Sequence, residues 1–116
     1  MGKKSQRKGA NGERELTSIL QGYGYATKRG GSETFGTIPD IVGLPGIHIE
    51  CKRVERLDLL AAMQQAQRDA ARFGDGKPAV FHRKNRSEWL VTMTLEDWIT
   101  LYGKAVTCEC GAIGQP

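Results

Sequence analysis

The sequence lacks any long apolar run and contains few cysteines. Its apolar stretches fall far short of the roughly 18–20 residues that a transmembrane helix needs, so a membrane-spanning segment is excluded. No apolar core follows the basic N-terminus, so we expect no secretory signal. Three cysteines are an odd number and favour no disulfide framework, which leads us to expect a reducing cytosol. A chain of 116 residues has room for one domain only.

The charge balance is basic, with 17 Lys and Arg against 13 Asp and Glu and a net charge of +4. The positive residues cluster within residues 1–8 and again within residues 82–86. Such clusters suit a polyanionic partner such as a nucleic acid, although ordinary solvated surfaces carry them too. With 39% hydrophobic and 26% charged residues, the chain is globular rather than disordered.

Periodicity predicts an α/β fold in the order αβββαββα, a mixed sheet flanked by helices. The predicted helices cover residues 10–22, 57–73 and 95–102, and the strands cover residues 25–29, 40–44, 47–52, 78–82 and 89–93. The Pro45-Gly46 turn predicts that residues 40–52 form a β-hairpin. We expect a flexible basic arm at residues 1–9, one domain over residues 10–102 and an irregular tail at residues 103–116.

The chemically informative residues lie on the predicted hairpin. Side chains two apart share one face of a strand, so His48, Glu50 and Lys52 form a polar row. The neighbouring strand would bring Asp40 beside Glu50. Two adjacent carboxylates require a cation or a proton between them, and an oxygen-rich site suits Mg²⁺. With Lys52 to orient water or stabilise charge on a phosphate, the row predicts phosphodiester hydrolysis, whereas a solvated Glu-x-Lys pair is the alternative.

Two further residues belong to this prediction. Glu13 lies on the apolar stripe of the first helix, where a metal or its water would satisfy the carboxylate, although a helix N-terminus also favours an acid. Gln65 flanks the apolar stripe of the helix at residues 57–73. It is our candidate for a glutamine that assists the site, with a plain surface position as the alternative.

An ordered set of motifs resembles the PD-(D/E)xK nuclease superfamily, and most closely the archaeal-type Holliday junction resolvases and their phage-encoded relatives. The motifs are Arg7-Lys8-Gly9, Gly12-Glu13-Arg14-Glu15-Leu16, Lys28-Arg29-Gly30-Gly31-Ser32, Pro39-Asp40-Ile41-Val42 and Ile49-Glu50-Cys51-Lys52. The resemblance covers residues 7–83. It implies a restriction-endonuclease-like fold and a homodimeric endonuclease that depends on Mg²⁺, with Mn²⁺ as a substitute, and acts on branched DNA.

The resemblance also implies roles for individual residues. Asp40, Glu50 and the Cys51 carbonyl would bind metal, Lys52 would be the catalytic lysine, and Glu13 would complete the site. Arg29 and Ser32 would contact phosphates of the scissile strand, on a loop at residues 30–37 that orders on DNA. Other expected DNA-binding residues are Lys8, Arg14, Arg83, Lys84 and Arg86.

Alternatives remain at the level of substrate. The same core could cut flaps, nick DNA or act like a restriction enzyme, or the same fold could bind nucleic acid without catalysis. A basic RNA-binding protein is a third alternative. Trp89 and Trp98 fall within apolar patterns, which favours core or dimer-interface packing over base stacking. Cys108 and Cys110 are too few for a structural zinc site, so we expect them in the irregular tail.

Overall fold

The computed structural model describes the backbone of residues 2–30 and 38–113 and the side chains of residues 9–30 and 38–107. The elements are α1 (Gly2–Gly22), β1 (Lys28–Arg29), β2 (Ile41–Val42), β3 (Ile47–Arg53), α2 (Leu59–Phe73), β4 (Lys77–Arg83), β5 (Leu90–Thr92) and α3 (Leu95–Ile113). This order confirms the predicted αβββαββα arrangement and the α/β class. Within the described part of the chain, no helix is both long and apolar enough to cross a bilayer.

The strands form two small sheets. β1 and β2 pair antiparallel, while β3, β4 and β5 form a mixed sheet in that order. β3 pairs parallel with β4, with Glu50 opposite Val80, and β4 pairs antiparallel with β5. Because parallel neighbours require a crossover, α2 lies between β3 and β4 in the chain and packs on both strands.

The predicted hairpin of residues 40–52 is wrong as a strand pairing. Among the described residues, no ladder joins β2 to β3, because β2 pairs with β1 and β3 pairs with β4. Gly43 bends the chain with a φ of 103°, and a Cβ there would stand 2.3 Å from the Ala26 carbonyl oxygen. The turn still returns the chain so that β2 contacts β3, although it does not impose a ladder.

Two helices are longer than predicted. α1 begins at Gly2 instead of residue 10, so residues 2–9 of the predicted arm are helical. α3 continues to Ile113, through most of the segment predicted to be an irregular tail. Neither extension contains proline, and lysine, arginine, glutamine and alanine, which occur in these segments, are good helix formers. α2 matches its prediction closely, because Asp58 caps its first turn by accepting from the Ala61 N–H at 3.1 Å.

The core has two parts, one on each face of the β3–β4 pair. The larger part contains Leu16, Ile41, Ile49, Ala79 and Phe81. The smaller part contains Ala62, Ala66 and Val80.

Trp89 packs against the larger part, which confirms its predicted packing role, whereas Trp98 is 48% exposed and stacks on Tyr102 at a centroid distance of 5.1 Å. Alanines on α2 allow this helix to lie close to the strand face that carries His48 and Glu50.

α1 approaches β3 closely at Gly12. A Cβ at this position would lie 2.9 Å from the Arg53 Cβ and 3.7 Å from the Cys51 Sγ. Only glycine permits this separation without a shift of the helix or the strand. The close approach places Glu13, the next residue of α1, at the end of β3 where the polar row lies.

Candidate active site

One cleft gathers every residue predicted to be catalytic. It lies at the carboxyl end of β3, between α1, α2 and the entry to β2. Its lining includes Glu13, Asp40, Glu50, Lys52 and Gln65, together with Cys51. These residues come from four separate segments, so their convergence is a property of the folded chain rather than of any single motif.

β3 supplies the polar row, as its alternation predicts. Glu50 is buried, with 6% of its surface exposed, while its carboxylate Oε2 lies 3.6 Å from the Lys52 Nζ. The Lys52 side chain is 29% exposed, so its ammonium lies at the cleft edge and keeps contact with water. This contact lowers the cost of pairing it with a buried carboxylate. The strand therefore presents a carboxylate and an ammonium side by side, facing α2.

Asp40 joins this pair from the start of β2. The Gly30 N–H donates a hydrogen bond of 2.7 Å to the Asp40 carbonyl, which fixes the backbone against β1. Desolvation in the cleft and the negative charge of Glu50 raise the pKa of Asp40 above its ordinary value. The prediction that Asp40 lies near Glu50 thus holds, even though the two strands share no ladder.

Glu13 approaches the same cleft from α1. Its Oε1 accepts a hydrogen bond of 3.0 Å from the Arg29 Nε. Burial raises the pKa of Glu13, the hydrogen bond from Arg29 lowers it, and the charges of Asp40 and Glu50 raise it further, with a net upward shift. Arg29, predicted to contact DNA, therefore holds a cleft carboxylate in this structure.

Cys51 presents its thiol to α1, on the strand face opposite to Glu50. Burial and the surrounding carboxylates, with burial the larger effect, raise the pKa of this thiol to about 12. The thiol is consequently protonated at neutral pH and is a poor metal ligand. Ligation by its backbone carbonyl stays a prediction.

The basic residues divide into paired and exposed groups. Arg83 donates to Glu15 at 2.9 Å, and Glu15 also pairs with Arg53 at 3.1 Å, so Arg83 serves an ion-pair network. Lys84 and Arg86 are exposed on the turn after β4. Because Arg53 and Arg83 are register partners, this turn lies at the same end of the sheet as the cleft.

Other predicted residues lie elsewhere. Arg14 is exposed on α1 and donates to Asn11 at 3.1 Å. His82 lies 2.9 Å from the Thr92 hydroxyl, and burial lowers its pKa, so it adds no charge to the basic cluster at neutral pH. The predicted roles of Ser32, the loop at residues 31–37 and the side chains of Lys8, Cys108 and Cys110 fall outside the described residues.

The partners of His48 were not predicted from the sequence. Asp75 lies 2.9 and 3.0 Å from the His48 Nδ1 through its two carboxylate oxygens, and Asp69 offers a ligand atom within 4.8 Å of ligand atoms of His48 and Glu50. Burial lowers the pKa of His48, while interactions with Glu50 and Asp75 raise it, with a net upward shift. Asp69 lies four residues after Gln65 on α2, so the two side chains share one face of the helix. This spacing was the sequence signal that could have placed Asp69 near the cleft.

The comparisons with known proteins agree with this arrangement. The model of the archaeal Holliday junction resolvase family matches residues 4–100, which is most of the chain and includes every residue of the cleft. The chain belongs to this family. The resolvase family is part of the PD-(D/E)xK nuclease superfamily, so the predicted relationship is confirmed. No curated protein matches the chain significantly.

Proposed function

We propose that this chain is a Mg²⁺-dependent endonuclease that hydrolyses phosphodiesters at four-way DNA junctions. The observation that carries the proposal is the convergence of three carboxylates and one lysine in a single cleft. Membership of the resolvase family supports the junction as the substrate. A binding module without catalysis would have no need for this combination of side chains at one place.

The cleft has the donor set that a magnesium ion prefers. Asp40 and Glu50 offer carboxylate oxygens, and Glu13 offers a third carboxylate beside them. The pKa values of Asp40 and Glu13 are raised first by desolvation and then by the charges of neighbouring carboxylates, and a cation between the groups would relieve that repulsion. Asp40, Glu50 and the Cys51 carbonyl would hold the ion, with Glu13 completing its surroundings and Mn²⁺ as a substitute.

When bound, the ion would polarise the scissile phosphate and lower the pKa of an attacking water. The residues of the chain contribute orientation and charge. Lys52 stands beside Glu50 at the cleft edge, where its ammonium would stabilise negative charge on the phosphate and orient the water. Gln65 reaches the cleft from α2, where its amide would hydrogen-bond the water or a phosphate oxygen. The products would carry 5′-phosphates.

Binding of the junction would depend on phosphate contacts. Lys84 and Arg86 are exposed on the turn at the cleft end of the sheet, and Arg14 is exposed on α1. Each cation would displace counterions from the DNA, so binding should weaken as salt rises. Arg29 would act in catalysis by holding Glu13 and would offer its remaining donors to the scissile strand.

Two symmetric cuts in a four-way junction would require two such sites related by a two-fold axis. The apolar residues of α3 support a homodimer. Leu95, Trp98, Ile99 and Tyr102 are exposed on this helix by 74%, 48%, 52% and 55% respectively. We call these four residues the α3 face and propose that two copies pack there.

A substrate panel tests the proposed function. The chain is incubated with Mg²⁺ and labelled four-way junction, flap, nicked and linear duplex of matched sequence. We expect paired symmetric cuts in the junction and little cleavage of the linear duplex. Equal cutting of all substrates would indicate another DNA specificity on the same core, and absence of cutting with retained binding would indicate a binding module.

A further inference from the structure

A second group of metal-binding side chains lies beside the cleft. His48, Glu50 and Asp69 each direct one ligand atom toward the others, and these three atoms lie within 4.8 Å of one another. Asp40 does not belong to this group. The group shares Glu50 with the cleft and takes its third ligand, Asp69, from α2, whereas the magnesium site proposed above takes its second carboxylate, Asp40, from the start of β2.

His48 is held as a metal-ligating histidine would be. Its side chain is 3% exposed, and Asp75 binds its Nδ1 through both carboxylate oxygens. A carboxylate on one ring nitrogen fixes the tautomer and leaves the other nitrogen free to bind an ion. Among the described residues, nothing forms a hydrogen bond with the Nε2 atom, although this atom is buried.

The free nitrogen is directed at Glu50. The His48 Nε2 lies 3.8 Å from the Glu50 Oε1, which is too far for a hydrogen bond. Two ligand atoms that each lie about 2.1 Å from one ion, at a tetrahedral angle, are about 3.4 Å apart. The observed separation of 3.8 Å is close to this value, so a small movement of either side chain would allow both atoms to bind one ion. Glu50 directs its other oxygen, Oε2, toward Lys52, and one carboxylate can therefore serve both the group and the cleft.

We propose that His48, Glu50 and Asp69 form a binding site for a second divalent ion of the transition-metal class. A nitrogen ligand with two carboxylates suits Mn²⁺, Co²⁺ or Zn²⁺ and disfavours Mg²⁺, which selects oxygen. Asp75 is a positioning residue that acts through the His48 ring. The bound ion would join β3 to α2 and hold the Glu50 carboxylate in place. The proposal does not depend on DNA cleavage.

Cobalt binding to the full chain tests the site. Co²⁺ bound at Nε2 would shift the signal of the exchangeable proton on Nδ1, which is donated to Asp75, far outside the ordinary proton spectrum. Only two histidines occur in the chain, His48 and His82. We expect one shifted signal from an exchangeable histidine ring proton, which disappears in His48→Gln and persists in His82→Gln and in Asp40→Asn.

Affinity measurements keep the test independent of one variant. Asp75→Asn should weaken Co²⁺ binding by about 10–100-fold, as is usual for a partner of a ligating histidine, and Asp69→Asn by at least a comparable factor. Excess Mg²⁺ should leave the shifted signal in place. A spectrum without a shifted signal would overturn the proposal and indicate that a proton on Nε2 satisfies the carboxylates. Loss of the signal in Asp40→Asn would equally overturn it, because the ion would then belong to the cleft.

Discussion

Replacing Gly12 by alanine should displace α1 from β3 and impair the cleft more than it impairs stability. The added Cβ would stand 2.9 Å from the Arg53 Cβ, about 0.5 Å inside ordinary contact, which begins near 3.4 Å. The Arg53 Cβ is attached directly to the strand backbone and cannot rotate away. The helix must therefore move, and Glu13 moves with it.

The expected magnitudes follow from this contact. Overpacking of this kind costs about 1–3 kcal/mol. Alanine recovers about 1 kcal/mol of helix propensity, so the net loss should not exceed about 2 kcal/mol. Cleavage should fall by roughly tenfold or more, because a displacement of about 1 Å at a catalytic group can cost about 100-fold.

Thermal unfolding followed by circular dichroism and single-turnover cleavage of a four-way junction measure the two effects. Gly22→Ala is the matched control, because it lies in the same helix and its Cβ would meet no atom within 4 Å. We expect the control to be fully active and at least as stable as the parent chain. If Gly12→Ala behaved like the control in both assays, the close packing of α1 on β3 and its role in placing Glu13 would be refuted.

Three further predictions concern charge and assembly. Because the pKa of Asp40 is raised in the folded chain, its ionised form opposes folding above that pKa, so Asp40→Asn should raise the melting temperature in chelator at pH 7. This gain in melting temperature should vanish below the ordinary pKa of aspartate, because Asp40 is then protonated in both the folded and the unfolded chain. A gain that stayed constant with pH would show that the raised pKa of Asp40 is not its cause. Glu15→Gln weakens the ion pairs with Arg53 and Arg83 and should lower the free energy of unfolding by about 1–2 kcal/mol, measured by denaturant titration. An unchanged midpoint would mean that these pairs contribute nothing to stability. Ile99→Glu should shift the chain to monomer in sedimentation, with Thr100→Glu as the control, and an unshifted dimer would place the interface elsewhere.

The composition of the cleft was predictable because its signals are local. Strand alternation places His48, Glu50 and Lys52 on one face whatever the rest of the fold does. Helical spacing places Glu13 and Gln65 on the faces of α1 and α2 that meet the sheet. These local rules, together with the motif order, were sufficient to name the residues that the structure brings together.

The strand pairing was not predictable in the same way. Pro45-Gly46 is a local turn signal, but the partner of β3 is decided by the α2 crossover, which brings β4 alongside through contacts distant in sequence. The partners of His48 escaped prediction for a related reason. Asp75 follows the end of α2, and only the folded crossover brings it to the ring. The start of α1 and the end of α3 were misjudged because a run of basic residues and a loss of apolar periodicity do not by themselves end a helix.

The most direct test of the nuclease assignment is single-turnover cleavage of a labelled four-way junction during a Mg²⁺ titration, with the parent chain and Asp40→Asn compared at equal junction occupancy. We expect cleavage by the parent chain to rise from none in chelator to a plateau, while the variant binds the junction and leaves it uncut. Cleavage by the parent chain in chelator, or equal cleavage by the variant at every Mg²⁺ concentration, would contradict the assignment of Asp40 and Glu50 as the magnesium-binding carboxylates.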